Sequence, residues 1–196
     1  IDEVKGQIGE RGRRDDPAYT AIQDEIAGVK REWLDEWAPL LTSDAVPIHP
    51  YRLIHEIHQT VDPEQTVMTH DAGHPRDEMM PLYTATVPHS YVGWGKTTHL
   101  GYGLPLMIGV KLAHPERFCA NFMGDAAFGM SGLDVETAAR AGVPITTIVL
   151  NNGTMGGYSR SLPVAMGTYG AANMTGDYAK VAEGLGVAVE RVTEPA

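Results

Sequence analysis

The pattern of apolar and polar positions divides the chain into an N-terminal helical part and a longer part in which strands and helices alternate. In residues 17–37, apolar side chains recur every three or four positions, as in a helix with one apolar face. Asp16 is a candidate N-cap, and Pro39 is predicted to end this helix. The charged stretch of residues 1–16 is typical of a linker.

From residue 46 onward, short apolar runs alternate with segments of helical periodicity. Strands are predicted at residues 66–70, 118–123, 145–150 and 187–191, with residues 84–94 irregular or forming a short strand. Helices are predicted at residues 50–59, 101–113, 131–141 and 177–183. The fold class that follows is α/β, a doubly wound and mostly parallel sheet with helices on both faces. A linker and helical extension (residues 1–45) precedes this domain (residues 46–196).

Composition and charge narrow the possible functions. The chain has 196 residues, 43% of them hydrophobic and 20% charged, which is typical of a globular protein. The formal net charge of −10 disfavours nucleic-acid binding, which requires basic residues opposite the phosphates. A single cysteine, no secretory signal and no membrane-spanning apolar run predict a cytoplasmic location without membrane attachment. The first residue is not methionine, and we interpret the chain as a fragment of a longer polypeptide.

Two short polar motifs follow neighbouring predicted strands. Gly124-Asp125-Ala126 comes after one strand, and Asn151-Asn152-Gly153 comes after the next, with one helix between the strands. In a parallel βαβ unit, both loops emerge at the carboxyl edge of the sheet, where ligands bind in open α/β folds.

The residue types in these motifs are suited to a metal–diphosphate site. Asp125 offers a carboxylate oxygen and Asn152 an amide oxygen, which are ligands that Mg²⁺ prefers. Backbone N–H groups of residues 125–127 and 153–156 are positioned to bind an anion, and glycines allow a phosphate to approach closely. Each motif alone is also a common turn sequence; the joint spacing is what favours a site.

The same residues carry a resemblance to a known family. Gly-Asp-x followed at this distance by Asn-Asn is the signature of thiamine diphosphate (ThDP) binding domains. The segment 124–152 is similar throughout to the group of acetolactate synthase, benzoylformate decarboxylase and oxalyl-CoA decarboxylase. Residues 98–105 and 177–186 also resemble that group, and the likeness as a whole covers about residues 46–193.

This resemblance implies specific roles by position. Asp125, Asn152 and the backbone carbonyl of Thr154 would bind Mg²⁺. Leu100 would support the bent cofactor, and the carbonyl of Thr98 would accept a hydrogen bond from its 4′-amino group. His74 and His99 are possible substrate-side residues. The implied cofactor-binding set is Ala72, Gly73, His74, Thr98, Leu100, Gly124, Asp125, Ala126, Ala127, Asn152, Thr154, Met155 and Gly156.

The resemblance also implies an enzymatic activity that needs a second domain in addition to this chain. It predicts a ThDP- and Mg²⁺-dependent lyase or transferase that decarboxylates or ligates a 2-oxo acid. The glutamate that activates the cofactor would come from a pyrimidine-binding domain of the same or another subunit in a homo-oligomer. The isolated chain is therefore expected to be inactive. FAD is possible in the full-length protein but would not be bound by this chain.

Alternative readings remain open at this point. A non-catalytic ThDP-binding or regulatory module, or a plain nucleotide-binding domain, would have the same fold. His55 and His58 superficially resemble a zinc-protease motif, but their spacing is three residues where that motif needs four. The glycines at 101 and 103 resemble the start of a dinucleotide fingerprint, but the third glycine is missing.

Overall fold

The computed structural model describes residues 2–3, 17–93 and 99–195, with only the backbone described at Ser159. The chain forms two compact units, Ile1–Thr42 and Ser43–Ala196. No helix in the described ranges is both long enough and apolar enough to cross a bilayer.

The first unit contains one long helix, α1 (Pro17–Leu41). The prediction that Pro39 ends it is wrong by two residues: the helix includes Pro39 in its last turn and stops at Leu41. The predicted apolar side is present, but Ile22, Ile26 and Val29 on it are all more than half exposed. Periodicity therefore predicted the helix and did not predict burial.

The second unit alternates strands and helices. Its elements are α2 (Pro50–Thr60), β1 (Thr66–His70), α3 (His74–Leu82), β2 (Tyr91–Val92), α4 (Gly103–Ala113), β3 (Phe118–Gly124), α5 (Asp125–Ser131), α6 (Asp134–Arg140), β4 (Thr146–Leu150), α7 (Tyr158–Ser161), α8 (Pro163–Tyr169) and α9 (Tyr178–Gly184).

The four strands form one sheet in the order β2-β1-β3-β4, and every neighbouring pair is parallel. His70 at the end of β1 pairs with Phe122, and Gly124 at the end of β3 pairs with Leu150 at the end of β4. The carboxyl ends of β1, β3 and β4 therefore share one edge. In the described part of the chain, no strand pairs with the outer side of β4.

Apolar side chains cover both faces of the sheet, because successive residues of a strand point to opposite sides. On one face, Met68 and Phe122 pack with residues of α2 and α3. On the other, Val67 and Met123 belong to clusters that include residues of α4, α5 and α6. This is the predicted doubly wound arrangement.

Three expectations about elements are corrected by the structure. The helix predicted at residues 131–141 is shorter, α6 (Asp134–Arg140), and it is preceded by a further helix, α5 (Asp125–Ser131), which the sequence pattern did not predict. The strand predicted at residues 187–191 is not formed: this segment has no regular secondary structure and joins none of the four strands. The helix α4, which the almost wholly apolar sequence of residues 101–113 predicts to be buried, is buried on one side only, and Leu112 on its other side is 66% exposed.

Candidate functional site

Asp125 connects two loops at the carboxyl edge of the sheet. Its side chain is only 2% exposed, and Oδ1 accepts a hydrogen bond from the N–H of Ala126 at 2.8 Å. Oδ2 accepts a hydrogen bond from the N–H of Gly153, in the loop after β4, also at 2.8 Å. Among the described residues, no basic side chain forms a salt bridge with this carboxylate. The buried charge is thus solvated by backbone dipoles.

Asn152 lies at the same edge, at the start of the loop that follows β4. Its Oδ1 accepts a hydrogen bond from the N–H of Thr154 at 3.0 Å, which makes a local turn. Gly153 between them has φ +71°, a conformation that favours glycine. Main-chain hydrogen bonds of 2.8 and 2.9 Å tie this loop to residues 172–174, a support that the sequence did not reveal.

His74 brings a third loop to the site. It is the first residue of α3, after Gly73 with φ +84°. A Cβ placed on Gly156 would lie 2.7 Å from His74 Nε2, so the ring packs directly on the backbone of Gly156. Glu78 follows one helical turn later, and burial raises its carboxyl pKa, an effect that the nearby His74 partly offsets. The loops after β1 and β4 therefore meet at His74.

Tyr178, at the start of α9, is a further neighbour of Asp125 that sequence reasoning missed. Burial raises the pKa of its phenol, and the negative charge of Asp125 raises it further. Its ring makes an edge contact with Phe128, with the ring centroids 5.9 Å apart. The signal that could have identified it is its position beside Asp177, within the segment that resembles the family.

Asp71 is a second buried carboxylate at this edge; the sequence of residues 71–75, which follows a predicted strand and contains Gly and Pro, predicts only a turn there. It directly follows β1, as Asp125 directly follows β3, and it is fully buried. Its Oδ1 accepts a hydrogen bond from the N–H of Gly101, and its Oδ2 accepts one from the N–H of Gly103, both at 2.9 Å. An aspartate placed directly after a buried strand was the signal available to find it.

Position 103 requires glycine because the side chains of Asn121 and Asp71 pack against its backbone. A Cβ there would lie 2.3 Å from Asn121 Oδ1 and 3.1 Å from Asp71 Oδ2. We expect Gly103→Ala to lower the free energy of unfolding by about 1–3 kcal/mol, as overpacking does, measured by urea denaturation. Gly109→Ala in the same helix is the control. Nothing lies within 4 Å of a Cβ there, so it should stabilise by about 0.5–1 kcal/mol. Equal effects of the two substitutions would contradict this account.

The same stretch of chain matches a known family. Residues 71–196 match the family described as "Thiamine pyrophosphate enzyme, C-terminal TPP binding domain". The chain belongs to this family. Thiamine pyrophosphate is the cofactor called ThDP above, so the match covers Asp71, Asp125, Asn152 and the loops that connect them.

Individual members of the thiamine pyrophosphate enzyme family resemble the chain as well. A probable acetolactate synthase large subunit of Methanocaldococcus jannaschii is 24% identical over 221 residues, covering 100% of this chain and 37% of that protein. The mitochondrial acetolactate synthase catalytic subunit of Saccharomyces cerevisiae is 33% identical over 107 residues, covering 54% of this chain and 16% of the yeast protein. The chain thus spans well under half the length of these relatives.

A solved structure has the same fold. A ThDP-dependent 4-hydroxybenzoylformate decarboxylase of Rhodococcus jostii RHA1 superposes with a TM-score of 0.64 at 26% identity. The superposition covers 74% of this chain and 28% of the decarboxylase. The α/β fold with a parallel sheet is therefore that of ThDP enzymes.

The predicted cofactor residues cluster at the carboxyl edge, except for Thr98, which lies outside the described ranges. The others follow β1 (Ala72, Gly73, His74), precede α4 (Leu100), follow β3 (Gly124, Asp125, Ala126, Ala127) or follow β4 (Asn152, Thr154, Met155, Gly156). Leu100 is partly buried against the core beneath α5, and His99 is exposed.

The chemistry of this edge fits a divalent cation with a diphosphate. The described residues contain no group of three or more His, Cys, Asp or Glu side chains that could hold a metal by themselves. Mg²⁺ in phosphate sites needs only one or two carboxylates, because phosphates and water complete its coordination. The buried carboxylate of Asp125, beside a glycine-rich loop, meets that requirement.

Proposed function

We propose that this chain binds the diphosphate of ThDP through Mg²⁺ at the carboxyl edge of its sheet. The observation that carries the proposal is the state of Asp125. Its carboxylate is almost fully buried, is held by two backbone N–H groups and has no salt-bridge partner among the described residues. A bound divalent cation would supply the positive charge that this buried anion lacks.

In this proposal, three residues supply oxygen ligands to Mg²⁺. Asp125 and Asn152 contribute side-chain oxygens, and Thr154 contributes its backbone carbonyl. Backbone N–H groups of the glycine-rich loop after β4 bind phosphate oxygens, and the ring of His74 borders that loop at Gly156. Asn152 would exchange its present hydrogen bond with the Thr154 N–H for the cation.

The ring end of the cofactor lies, in this proposal, against the 99–103 loop. Leu100 would support the bent cofactor, and the resemblance assigns to the carbonyl of Thr98, outside the described residues, a hydrogen bond from the 4′-amino group. His99 and His74 are assigned to the substrate side. Bound ThDP supplies the carbanion and the electron sink for decarboxylation, and the protein holds and orients it.

We further propose that the complete protein decarboxylates or ligates a 2-oxo acid, because the similar proteins are named as acetolactate synthases and as a benzoylformate-type decarboxylase. The activating glutamate would come from a pyrimidine-binding domain of the same or another subunit in a homo-oligomer. Residues 1–45 would form the extension and residues 46–196 the ThDP domain. The single cysteine of the chain supports a cytoplasmic setting.

Isothermal calorimetry tests this proposal. We expect ThDP to bind in the presence of Mg²⁺ and at least about 10-fold more weakly after chelation of the metal, because phosphate and carboxylate repel each other without it. Metal-independent binding, or ATP or NAD⁺ displacing ThDP, would instead favour a nucleotide-binding module. Binding without turnover after addition of a pyrimidine-binding domain would favour a non-catalytic module.

A further inference from the structure

Asp71 holds the 99–103 loop through an unusually complete set of hydrogen bonds. Its fully buried carboxylate accepts three of them: from Ala72 N–H at 2.8 Å and Gly101 N–H at 2.9 Å to Oδ1, and from Gly103 N–H at 2.9 Å to Oδ2. Its own N–H donates to the carbonyl of Phe122 on β3 at 2.6 Å. The carboxylate therefore connects the sheet to both sides of Tyr102.

The neighbouring residue His70 acts on the same loop. Its ring is 3% exposed, and Nδ1 lies 3.3 Å from the hydroxyl oxygen of Tyr102 and 3.0 Å from the carbonyl oxygen of Asp71. The last residue of β1 and the residue after it thus contact three consecutive residues of the loop, Gly101 to Gly103. This is far more contact than a turn residue needs for its own conformation.

The 99–103 loop carries Leu100, whose side chain is partly buried against the cluster of Leu104, Met123 and Phe128. The N–H that Asp71 binds at Gly101 is on the next residue of the chain. Gly101, at φ +91°, lies close to the side chain of Ser131 and donates its N–H to Asp71, so the backbone that follows Leu100 is fixed on both sides.

Asp71 and Asp125 follow adjacent strands and make the same pattern of hydrogen bonds. Each directly follows a strand, is buried, accepts a hydrogen bond from the next residue's N–H and accepts one from a glycine N–H in a distant loop. They differ in which loop they hold: Asp125 holds the loop after β4, and Asp71 holds the loop before α4. Asp71 is fully buried and engaged by three donors, so it has no access to a metal ion at the edge.

We propose that Asp71 is a positioning residue for the ring end of ThDP, whereas Asp125 serves the diphosphate end. This inference rests on the proposed function, since it assigns Leu100 to the ring end. Asp71 fixes the 99–103 loop before the cofactor arrives, so that Leu100 is already in place when the rings bend around it. Preorganisation of this kind increases affinity by reducing the entropy lost on binding.

Asp71→Asn is the variant that tests this role. The amide has nearly the same shape, but only one of its two ends accepts hydrogen bonds, so one glycine N–H would face an NH₂ group. Affinities for ThDP and for inorganic pyrophosphate, both with Mg²⁺, are measured by calorimetry. We expect at least about 10-fold weaker ThDP binding and less than about a 2-fold change for pyrophosphate, which has no rings. Asp125→Asn should weaken both.

Leu100→Ala provides the matched comparison and a double variant. It should show the same selective loss of ThDP affinity, and combining it with Asp71→Asn should be non-additive if Asp71 acts through Leu100. Equal losses for ThDP and pyrophosphate in Asp71→Asn, or strict additivity with Leu100→Ala, would overturn the inference and leave the proposed function standing. An unaltered chain that bound neither ligand would overturn both.

Amide hydrogen exchange in the unaltered chain covers the case in which Asp71→Asn does not fold. ThDP with Mg²⁺ should slow exchange at Gly101 and Gly103, whereas pyrophosphate with Mg²⁺ should slow it at Gly153 and leave the other two unchanged. If pyrophosphate slowed exchange at all three amides, the 99–103 loop and the loop after β4 would respond together to the diphosphate alone. Asp71 would then have no separate role at the ring end.

Discussion

Asp125→Ala is expected to reduce Mg²⁺-dependent ThDP binding by at least about 100-fold, since loss of even an indirect partner of a metal ligand lowers metal affinity 10–100-fold. The substitution removes the proposed anionic metal ligand from the carboxyl edge. It also removes the acceptor for the Gly153 N–H at 2.8 Å, which helps to fix the loop after β4. Calorimetry with saturating Mg²⁺ measures the change.

Thermal unfolding gives a second measure of the same substitution. In the unaltered chain, Mg²⁺ and ThDP at about 100 times the dissociation constant should add about 2.7 kcal/mol to the stability. Asp125→Ala should lose this increment. Without ligand, the variant should remain folded, because removal of a buried charge that lacks a salt bridge offsets the lost hydrogen bonds.

Asp35→Asn is the control for charge, because it removes one negative charge from the exposed surface of α1. It should leave the affinity for ThDP unchanged. If Asp125→Ala bound ThDP as tightly as Asp35→Asn in the presence of Mg²⁺, Asp125 would not be a metal ligand and the proposed function would lose its main support.

Phe122→Ala is expected to lower the free energy of unfolding by about 3–5 kcal/mol. Phe122 lies in the centre of β3, is fully buried and contacts the cluster formed with Ile54, Met68 and Met79 on one face of the sheet. Helices α2 and α3 cover this cluster, so they prevent water from filling the cavity that the alanine would leave. Urea denaturation at constant pH measures the loss.

Phe118→Ala is the matched control, since the same residue type begins the same strand and is 43% exposed. Its cost should be well under half that of Phe122→Ala, because less area leaves water on folding. If Phe122→Ala fails to fold, Phe122→Leu should still cost about 1–2 kcal/mol. Equal losses at positions 118 and 122 would contradict the difference in burial between these two side chains.

The sheet and the metal–diphosphate motifs could be read from the sequence because they depend on local patterns. Apolar runs gave the strand β1 at the right residues and placed β3 and β4 within one residue. The motifs at Asp125 and Asn152 follow strand ends, and parallel pairing brings such ends together whatever the rest of the chain does. Both the fold class and the position of the proposed site follow from these short-range rules.

What the sequence did not reveal depends on contacts between distant residues. The turn at Asp71 looks like many others until folding brings Gly101 and Gly103 within 2.9 Å of its carboxylate. The helix α5 ends at Ser131, and the next residue must be glycine, because a Cβ at Gly132 would collide with the Phe128 ring. The strand predicted at residues 187–191 has the composition of a strand, but in the structure it does not pair with the free edge of β4.

The outer side of β4, which no described strand covers, makes this domain prone to self-association when it is produced alone. Residues Thr146–Leu150 are uncharged, β-branched or aliphatic, and only partly buried. Such a strand exposes a row of free N–H and C=O groups to which another copy can add a strand, as in the growth of β-aggregates. We expect concentrated solutions of the chain to aggregate through this segment, and Thr146→Lys, at the exposed first residue of β4, to slow that process.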